Sequence, residues 1–122
     1  MLKFEAIDKA IGAHAAWKAR LRTAAMTGTF EVAASRVKAD DECEFGKWLY
    51  GRDLSADDRQ SEHYRKVKEL HAQFHLEAAN VLELATSGRK TDAENAVRLG
   101  STYAQTSTDL TAAMVRWRQS LR

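Results

Sequence analysis

The most regular pattern in the chain is TDAENAVRLGSTYAQTSTDLTAAMVRWRQSL, residues 91–121. Its small and apolar positions recur in alternating steps of three and four residues, which is the period of one face of an α-helix. These positions are Ala93, Ala96, Gly100, Tyr103, Ser107, Leu110, Met114, Trp117 and Leu121. Because Thr91 and Glu94 also have the spacing of a capping box, the pattern predicts a helix that begins near Thr91 and continues to the end of the chain.

Two further long segments have the same helical period. The first covers about residues 2–27 and stops at Gly28, where a left-handed C-terminal cap would lie. The second covers about residues 55–87 and begins with Ser55 and Asp58, the spacing of a second capping box. Both segments are therefore predicted to be long amphipathic helices.

Shorter helices are predicted between the first two long ones. One covers residues 30–38, and another contains Cys43, begins after the N-capping candidates Asp40 and Asp41, and ends near Gly51. Short connections place neighbouring helices antiparallel. We therefore expect an all-α, antiparallel bundle of three long and two short helices. The regular stripe of the last helix is expected to pack on a second copy in an isologous dimer, although the short helices could cover it in a monomer.

Composition limits the class of protein. The chain has 122 residues, and a domain typically takes about 100–200, so residues 1–122 are expected to form a single domain. Proline is absent, which disfavours a turn-rich β fold. The 19 basic and 17 acidic residues nearly balance, which argues against a nucleic-acid binder. No signal peptide or membrane-spanning stretch is evident, and one cysteine cannot form an internal disulfide. A cytoplasmic location and no membrane contact are expected.

Three histidines and the single cysteine occupy unusual positions. His71 and His75 are one helical turn apart in HAQFH, the spacing that zinc-binding helices use. His14 lies on the apolar stripe of the first helix, and Cys43 lies where a short helix begins. Three imidazoles and one thiolate form a ligand set that Zn²⁺ takes in a closed tetrahedral site. Buried cysteines and satisfied core histidines are also common, so the residues alone leave a metal site and an ordinary core both open.

Three motifs resemble the chemoreceptor zinc-binding (CZB) domain family. They are HAAWK at residues 14–18, CEFGKWLYG at residues 43–51 and LHAQFH at residues 70–75. Their order and spacing are similar to those of the family, whose zinc ligands are three histidines and one cysteine. By position, the resemblance implies that His14, Cys43, His71 and His75 are the ligands.

Four residues near these motifs are candidates for supporting roles. Gly46 and Trp48 are expected to orient the cysteine loop, with the indole over the site, unless Trp48 simply fills the core. Lys47 is one turn beyond Cys43, where it would favour the thiolate or remain solvated. Trp17 follows His14 and is expected to pack in the core. The helix N-terminus is expected to lower the pKa of Cys43.

The resemblance implies a sensory or regulatory module in bacterial signal transduction, such as chemotaxis. Similar domains control chemoreceptors or diguanylate cyclases, and this chain is expected to do so in trans as a stand-alone member. Its input would be the zinc level or redox sensing, through oxidation of the zinc-bound Cys43 by hypochlorous acid. The alternative is a structural zinc bundle that acts as a protein–protein interaction module.

Enzymatic function is not expected. Four protein ligands leave no open position on zinc for water activation. The residues three before the histidines are Ile11, Gln60, Lys68 and Ala72, so the Glu-x-x-His pairs of a di-iron bundle are missing. Ala72 also stands where a zinc protease of the HExxH type has its glutamate.

Overall fold

The computed structural model describes residues 2–121, and within that range the chain forms seven α-helices and no strand. The helices are α1 (Lys3–Thr27), α2 (Ala34–Val37), α3 (Glu44–Leu49), α4 (Ala56–Gln60), α5 (Glu62–Thr86), α6 (Lys90–Ala96) and α7 (Thr102–Ser120). The all-α bundle of three long helices is confirmed, with four short helices instead of two. None of these helices is both long enough and apolar enough to cross a bilayer.

The three long helices α1, α5 and α7 pack against one another and form the core. Each contributes fully buried side chains, among them Ile7, Leu21, Val67, Leu82, Leu110 and Met114. Burial of such side chains contributes roughly 1.5–3 kcal/mol each, which makes this core the main stabilising element.

Contacts at the two ends of the bundle give the helix directions. Asp8 near the start of α1 pairs with Arg118 near the end of α7 at 2.6 Å, so these two helices are antiparallel. Ala25 and Ala85, near the ends of α1 and α5, lie in the same buried cluster, so these two helices run in the same direction. The segment of short helices between them returns the chain to the starting end. Helix α7 is therefore antiparallel to both α1 and α5, as predicted, whereas α1 and α5 are parallel to each other.

The predicted helix over residues 55–87 is divided at Ser61. The capping box of Ser55 and Asp58 is present and begins α4. Ser61 has an extended backbone, and its hydroxyl donates to the Asp58 carbonyl at 2.9 Å and accepts from the Tyr64 N–H at 3.1 Å. One side chain therefore ends α4 and caps α5.

The predicted helix over residues 91–121 is also divided, and the expectation that Gly100 lies within it is wrong. Gly100 has a φ of 87°, a left-handed conformation that an α-helix does not allow. Ser101 then caps α7 by accepting from the Ala104 N–H. The capping box predicted at Thr91 is likewise wrong, because α6 begins at Lys90 without a side-chain cap.

The short helices between α1 and α4 also differ from their predicted bounds. Helix α2 covers four residues of the predicted 30–38. Helix α3 begins after Cys43, which is itself the N-cap, so Asp40 and Asp41 do not cap it. The predicted left-handed cap at Gly28, which ends α1, is confirmed with a φ of 77°.

Candidate metal centre

Three side chains converge on one point between α3 and α5. The Cys43 Sγ lies 3.4 Å from the Nε2 of His71 and 3.6 Å from the Nε2 of His75, and the two nitrogens are 3.1 Å apart. A zinc ion with its usual bond lengths separates two nitrogens by roughly 3.3 Å and a nitrogen and a sulfur by roughly 3.6 Å in a tetrahedral site. The three observed separations therefore fit three corners of a zinc tetrahedron.

Helix α5 positions the two histidines. His71 and His75 are four residues apart, so both rings project from the same side of the helix. Both are buried, with 5% and 7% of the residue exposed. An unpaired imidazole is costly in such a place, and their convergence provides the reason for their burial.

The second nitrogen of His75 is held by the backbone. Its Nδ1 donates to the carbonyl of Val37, the last residue of α2, at 2.7 Å. This hydrogen bond directs the Nε2 atom of the ring towards Cys43 and His71. The Nδ1 of His71 is buried and has no hydrogen-bond partner among residues 2–121. A carbonyl behind a ligating histidine is a common feature of metal sites, where it fixes ring orientation.

Cys43 is held by a close approach of two backbone segments. As N-cap of α3, its Sγ accepts from the Gly46 N–H at 3.3 Å. A Cβ at position 46 would lie 1.9 Å from the Asp40 carbonyl oxygen, so only glycine fits there. Helix α3 is anchored at its other end, where the Tyr64 hydroxyl donates to the Leu49 carbonyl at 2.9 Å.

Burial dominates the electrostatics of the cluster. Burial, and after it the nearby His75, lowers the pKa of His71 to about 3. Burial also raises the pKa of the Cys43 thiol, more than the backbone N–H groups of Gly46 and Phe45 lower it. The expected lowering by the helix N-terminus is therefore wrong for the metal-free chain. A cation is needed to make Cys43 a thiolate in this position.

His14 lines the same cavity but has a different partner. The cavity has a volume of about 180 Å³ and is bordered by His14 together with the three converging residues. The Nε2 of His14 lies 2.8 Å from the Ser107 Oγ, and its ring contacts Phe74 edge-on at 4.4 Å. Burial lowers the pKa of His14 to about 4, so the ring is neutral near pH 7. The structure thus brings three of the four predicted ligands together and places the fourth on the cavity wall.

The four supporting candidates have different surroundings. Gly46 contacts the cysteine sulfur through its N–H, and Trp17 borders the cavity and packs on Phe30. Trp48 packs on Phe45 and Trp117 in the core, away from the cavity. Lys47 is exposed.

Sequence reasoning missed three contributors to the site. The ring of Phe45 contacts His71 edge-on at 5.2 Å, and its position two residues after Cys43 was an available signal. Ser107 is fully buried, and its place as a polar residue on an apolar stripe was another. The Val37 carbonyl is a backbone group, so no residue type marks it in the sequence.

Comparison with known proteins agrees with the geometry. Residues 14–82 match the family described as the chemoreceptor zinc-binding domain. No curated protein and no solved structure matches the chain. The matched region covers more than half of the chain and includes His14, Cys43, His71 and His75. Together with a Cys/His/His cluster suited to Zn²⁺, this match shows that the chain belongs to the chemoreceptor zinc-binding domain family.

Proposed function

We propose that this protein is a zinc-binding sensory or regulatory module of bacterial signal transduction, in which Cys43, His71, His75 and His14 hold one Zn²⁺. The observation that carries the proposal is the convergence of the Cys43 Sγ and two Nε2 atoms at 3.1–3.6 Å. Three electron-rich atoms at such separations need a shared cation or proton between them. The family match, which is to a zinc-binding chemoreceptor domain, supports zinc as that cation.

The ligands connect separate parts of the bundle. Bound zinc supplies positive charge that stabilises the Cys43 thiolate. His71 and His75 hold their side of the site on α5, Cys43 ties α3 to it, and His14 belongs to α1. Loss of the Cys43 ligand therefore frees the short helix α3 rather than a single side chain. Such coupling between a site and helix packing is what a sensory module requires.

Metal analysis of the purified protein tests the zinc site. We expect equimolar zinc in the wild type and in His63→Ala, a matched control whose imidazole lies outside the cluster. Zinc should be lost from Cys43→Ala and from His71→Ala, because each variant removes a ligand. Full zinc content in both ligand variants would contradict the proposal.

We further propose that oxidation of Cys43 is an input. Cys43 is half-buried and borders the cavity, so a small oxidant can reach its sulfur. Hypochlorous acid would transfer its oxygen to the thiolate, giving a sulfenic acid and chloride, with sulfur oxidised and chlorine reduced by two electrons. The oxidised sulfur is a weaker zinc ligand, so α3 would be released.

Mass spectrometry with limiting hypochlorous acid tests this input. We expect oxidation at Cys43, with release of zinc, before oxidation at Met26, an internal reference whose residue is 59% exposed. If Met26 is oxidised first, and Cys43 and the zinc content stay unchanged, the redox input is excluded.

The proposed setting is cytoplasmic and without enzymatic activity, with a homodimer that acts on a chemoreceptor or diguanylate cyclase in trans. Large apolar side chains exposed at Leu2, Leu76 and Leu99 are compatible with protein contacts. Sedimentation equilibrium tests the dimer, because a monomer at all concentrations would contradict it.

A structural zinc is the second candidate function, with the bundle acting as a protein–protein interaction module. It is favoured by the small size of α3, a six-residue helix whose Cys43 end has few other attachments. Chelation separates the two functions. A folded bundle in which only α3 and its flanking segments lose amide protection from hydrogen exchange would indicate a switch, whereas global unfolding would indicate a structural staple.

A further inference from the structure

The side chains of His14 and Ser107 form an isolated polar pair between α1 and α7. Ser107 has no exposed surface, and its Oγ lies 2.8 Å from the His14 Nε2. Phe74 covers the imidazole edge-on, and Leu110 and Met114 are buried one and two turns beyond Ser107. The His14 ring is therefore the partner that satisfies a hydroxyl placed inside an apolar core.

The same ring faces the metal cavity. His14 borders the cavity together with Cys43, His71 and His75. The ligand atoms of the other three lie within 4.8 Å of one another, but neither nitrogen of His14 belongs to that group. His14 must therefore move to become a ligand, and the cavity of about 180 Å³ provides room for an imidazole to turn.

We infer that Ser107 is a positioning residue that competes with the metal for the Nε2 of His14, so that the ring has two positions. In one it bonds to Ser107, and in the other it turns into the cavity and completes the site of Cys43, His71 and His75. This inference rests on the proposed function, specifically on His14 as the fourth ligand. A single ring nitrogen cannot serve both partners, because it has one lone pair or one proton.

If Ser107 instead held His14 in place as a zinc ligand, the position of the imidazole would be different. If the hydroxyl held His14 ready to ligate through Nδ1, as outer partners often do, the hydrogen bond would already place Nδ1 beside the cluster. In the structure the bond to Ser107 is made, yet Nδ1 lies outside the group of converging ligand atoms. The contact with Ser107 therefore holds the ring away from the cluster.

The competition has a consequence for signalling. Metal binding would break a hydrogen bond between α1 and α7 and leave the Ser107 hydroxyl buried without a partner. The free-energy cost of leaving that hydroxyl without a hydrogen bond limits zinc affinity. Because Ser107 belongs to α7, a helix that contributes no metal ligand, metal binding also changes a contact of α7. Occupancy of the site would thus be transmitted to α7 through one residue.

Zinc affinity in Ser107→Ala is the first test, measured by competition with a chromophoric chelator. We expect binding about tenfold tighter than in the wild type, because the competing hydrogen bond is gone. Thr106→Val is the matched control, since it removes the hydroxyl of the preceding buried residue of α7, which has no bond to His14. In the His14→Ala background, Ser107→Ala should have no effect.

Nitrogen NMR of the unmodified protein is the second test and does not depend on how a variant folds. In the metal-free protein, the His14 Nε2 resonance should show its hydrogen bond to Ser107. In the cadmium-substituted protein, we expect a one-bond coupling between the metal and the His14 Nε2.

The outcomes separate the inference from the proposed function. If His14→Ala weakens zinc binding but Ser107→Ala weakens it too or leaves it unchanged, the inference is overturned and the four-ligand site stands. Coupling of cadmium to Nδ1 of His14 would likewise overturn the inference and leave the four-ligand site in place. If His14→Ala binds zinc as tightly as the wild type, His14 is not a ligand, and both the fourth ligand and the inference fail.

Discussion

The two sides of the metal cluster are built in different ways. His71 and His75 lie in the middle of α5, a 25-residue helix with ten buried residues that packs on both other long helices. Cys43 precedes α3, a six-residue helix with two buried residues, and is placed by the close approach of Gly46 to Asp40. The histidine side is held by the core of the bundle, whereas the cysteine side is held by a few local contacts.

This difference indicates which part of the site can change conformation when the cation is removed. Removing the cation leaves His71 and His75 on a helix that the rest of the core stabilises. The α3 segment loses one of its few attachments and retains mainly the burial of Leu49 and the Tyr64 hydrogen bond. We therefore expect conformational change to be concentrated in α3 and its flanking segments, while α5 serves as the fixed reference.

Acidification is expected to have the largest effect, and it acts on two buried histidines, His71 of the histidine side and His14 of α1. The folded chain holds the pKa of His71 at about 3 and that of His14 at about 4, both below the ordinary value of 6.5. The unfolded chain binds more protons, so the stability from these groups is complete above pH 6.5 and is lost as the pH falls towards the folded values. At about pH 5 the metal-free protein should lose roughly 2 kcal/mol for each histidine.

Urea denaturation of metal-free protein at about pH 7 and about pH 5 measures this loss. His71→Leu, which removes one titrating ring, should lose roughly half as much over the same interval. Equal unfolding free energies at the two pH values would show that burial of the neutral imidazoles does not make the stability of the protein depend on pH. Zinc should leave over the same range, because its ligands must stay unprotonated.

Gly46→Ala should produce the next largest effect, on the cysteine side. The new Cβ would collide with the Asp40 carbonyl, and the backbone must shift to relieve the collision. We expect zinc affinity to fall about 10- to 100-fold, as for other changes to groups that orient a ligand. Chelator competition provides the measurement.

Gly12→Ala is the matched control for Gly46→Ala. Position 12 lies inside α1, and an added Cβ there meets no atom within 4 Å. Alanine should stabilise the helix by about 0.5–1 kcal/mol and leave zinc affinity unchanged. Unchanged zinc affinity in Gly46→Ala would mean that the cysteine side tolerates a backbone shift, and the proposed difference between the two sides would be lost.

Tyr64→Phe should have a moderate effect, because it removes the hydrogen bond that joins α3 to α5. We expect a loss of about 1 kcal/mol in unfolding free energy and faster amide exchange in α3. Tyr103→Phe is its control, since the Tyr103 hydroxyl is buried without a partner among the described residues. That variant should be neutral or stabilising. Equal losses in both variants would exclude a specific anchoring role for the Tyr64 hydroxyl.

Arg20→Ala should have the smallest effect. Its guanidinium lies over the rings of Trp17 and Phe30 at 4.4 and 5.0 Å and pairs with Glu31 at the exposed surface. We expect a loss of about 0.5 kcal/mol from the cation–π contact, with faster exchange in residues 28–33 and unchanged zinc affinity. A marked fall in zinc affinity would show that this surface contact also holds the site.

The three long helices were predictable because each has a sustained stripe of the helical period. Their interruptions were not, because a serine or a glycine on such a stripe is compatible with an unbroken helix. Ser61 divides α4 from α5 through two hydrogen bonds of its hydroxyl, and Gly100 ends the continuity before α7 through a left-handed φ. Both features depend on the path of the backbone, which periodicity does not report.

The convergence of Cys43, His71 and His75 was predictable from the spacing of the two histidines and from the family motifs. The Ser107 contact was not, because it joins residues 93 positions apart and depends on how α1 meets α7. The pKa of Cys43 is raised although the sequence predicts a lowered one, because the sequence reports a position at a helix N-terminus but not the burial of the thiol.

The hydrogen bond from His75 to the Val37 carbonyl also affects how fast a cation can bind. A neutral imidazole in water exchanges its proton between two nitrogens, and only one of the two tautomers presents a lone pair on Nε2. In the folded chain the carbonyl selects that tautomer in advance. Because this tautomer is fixed when the chain folds, the Nε2 lone pair is available to an arriving ion. Metal binding at His75 therefore does not require a proton to move from one ring nitrogen to the other.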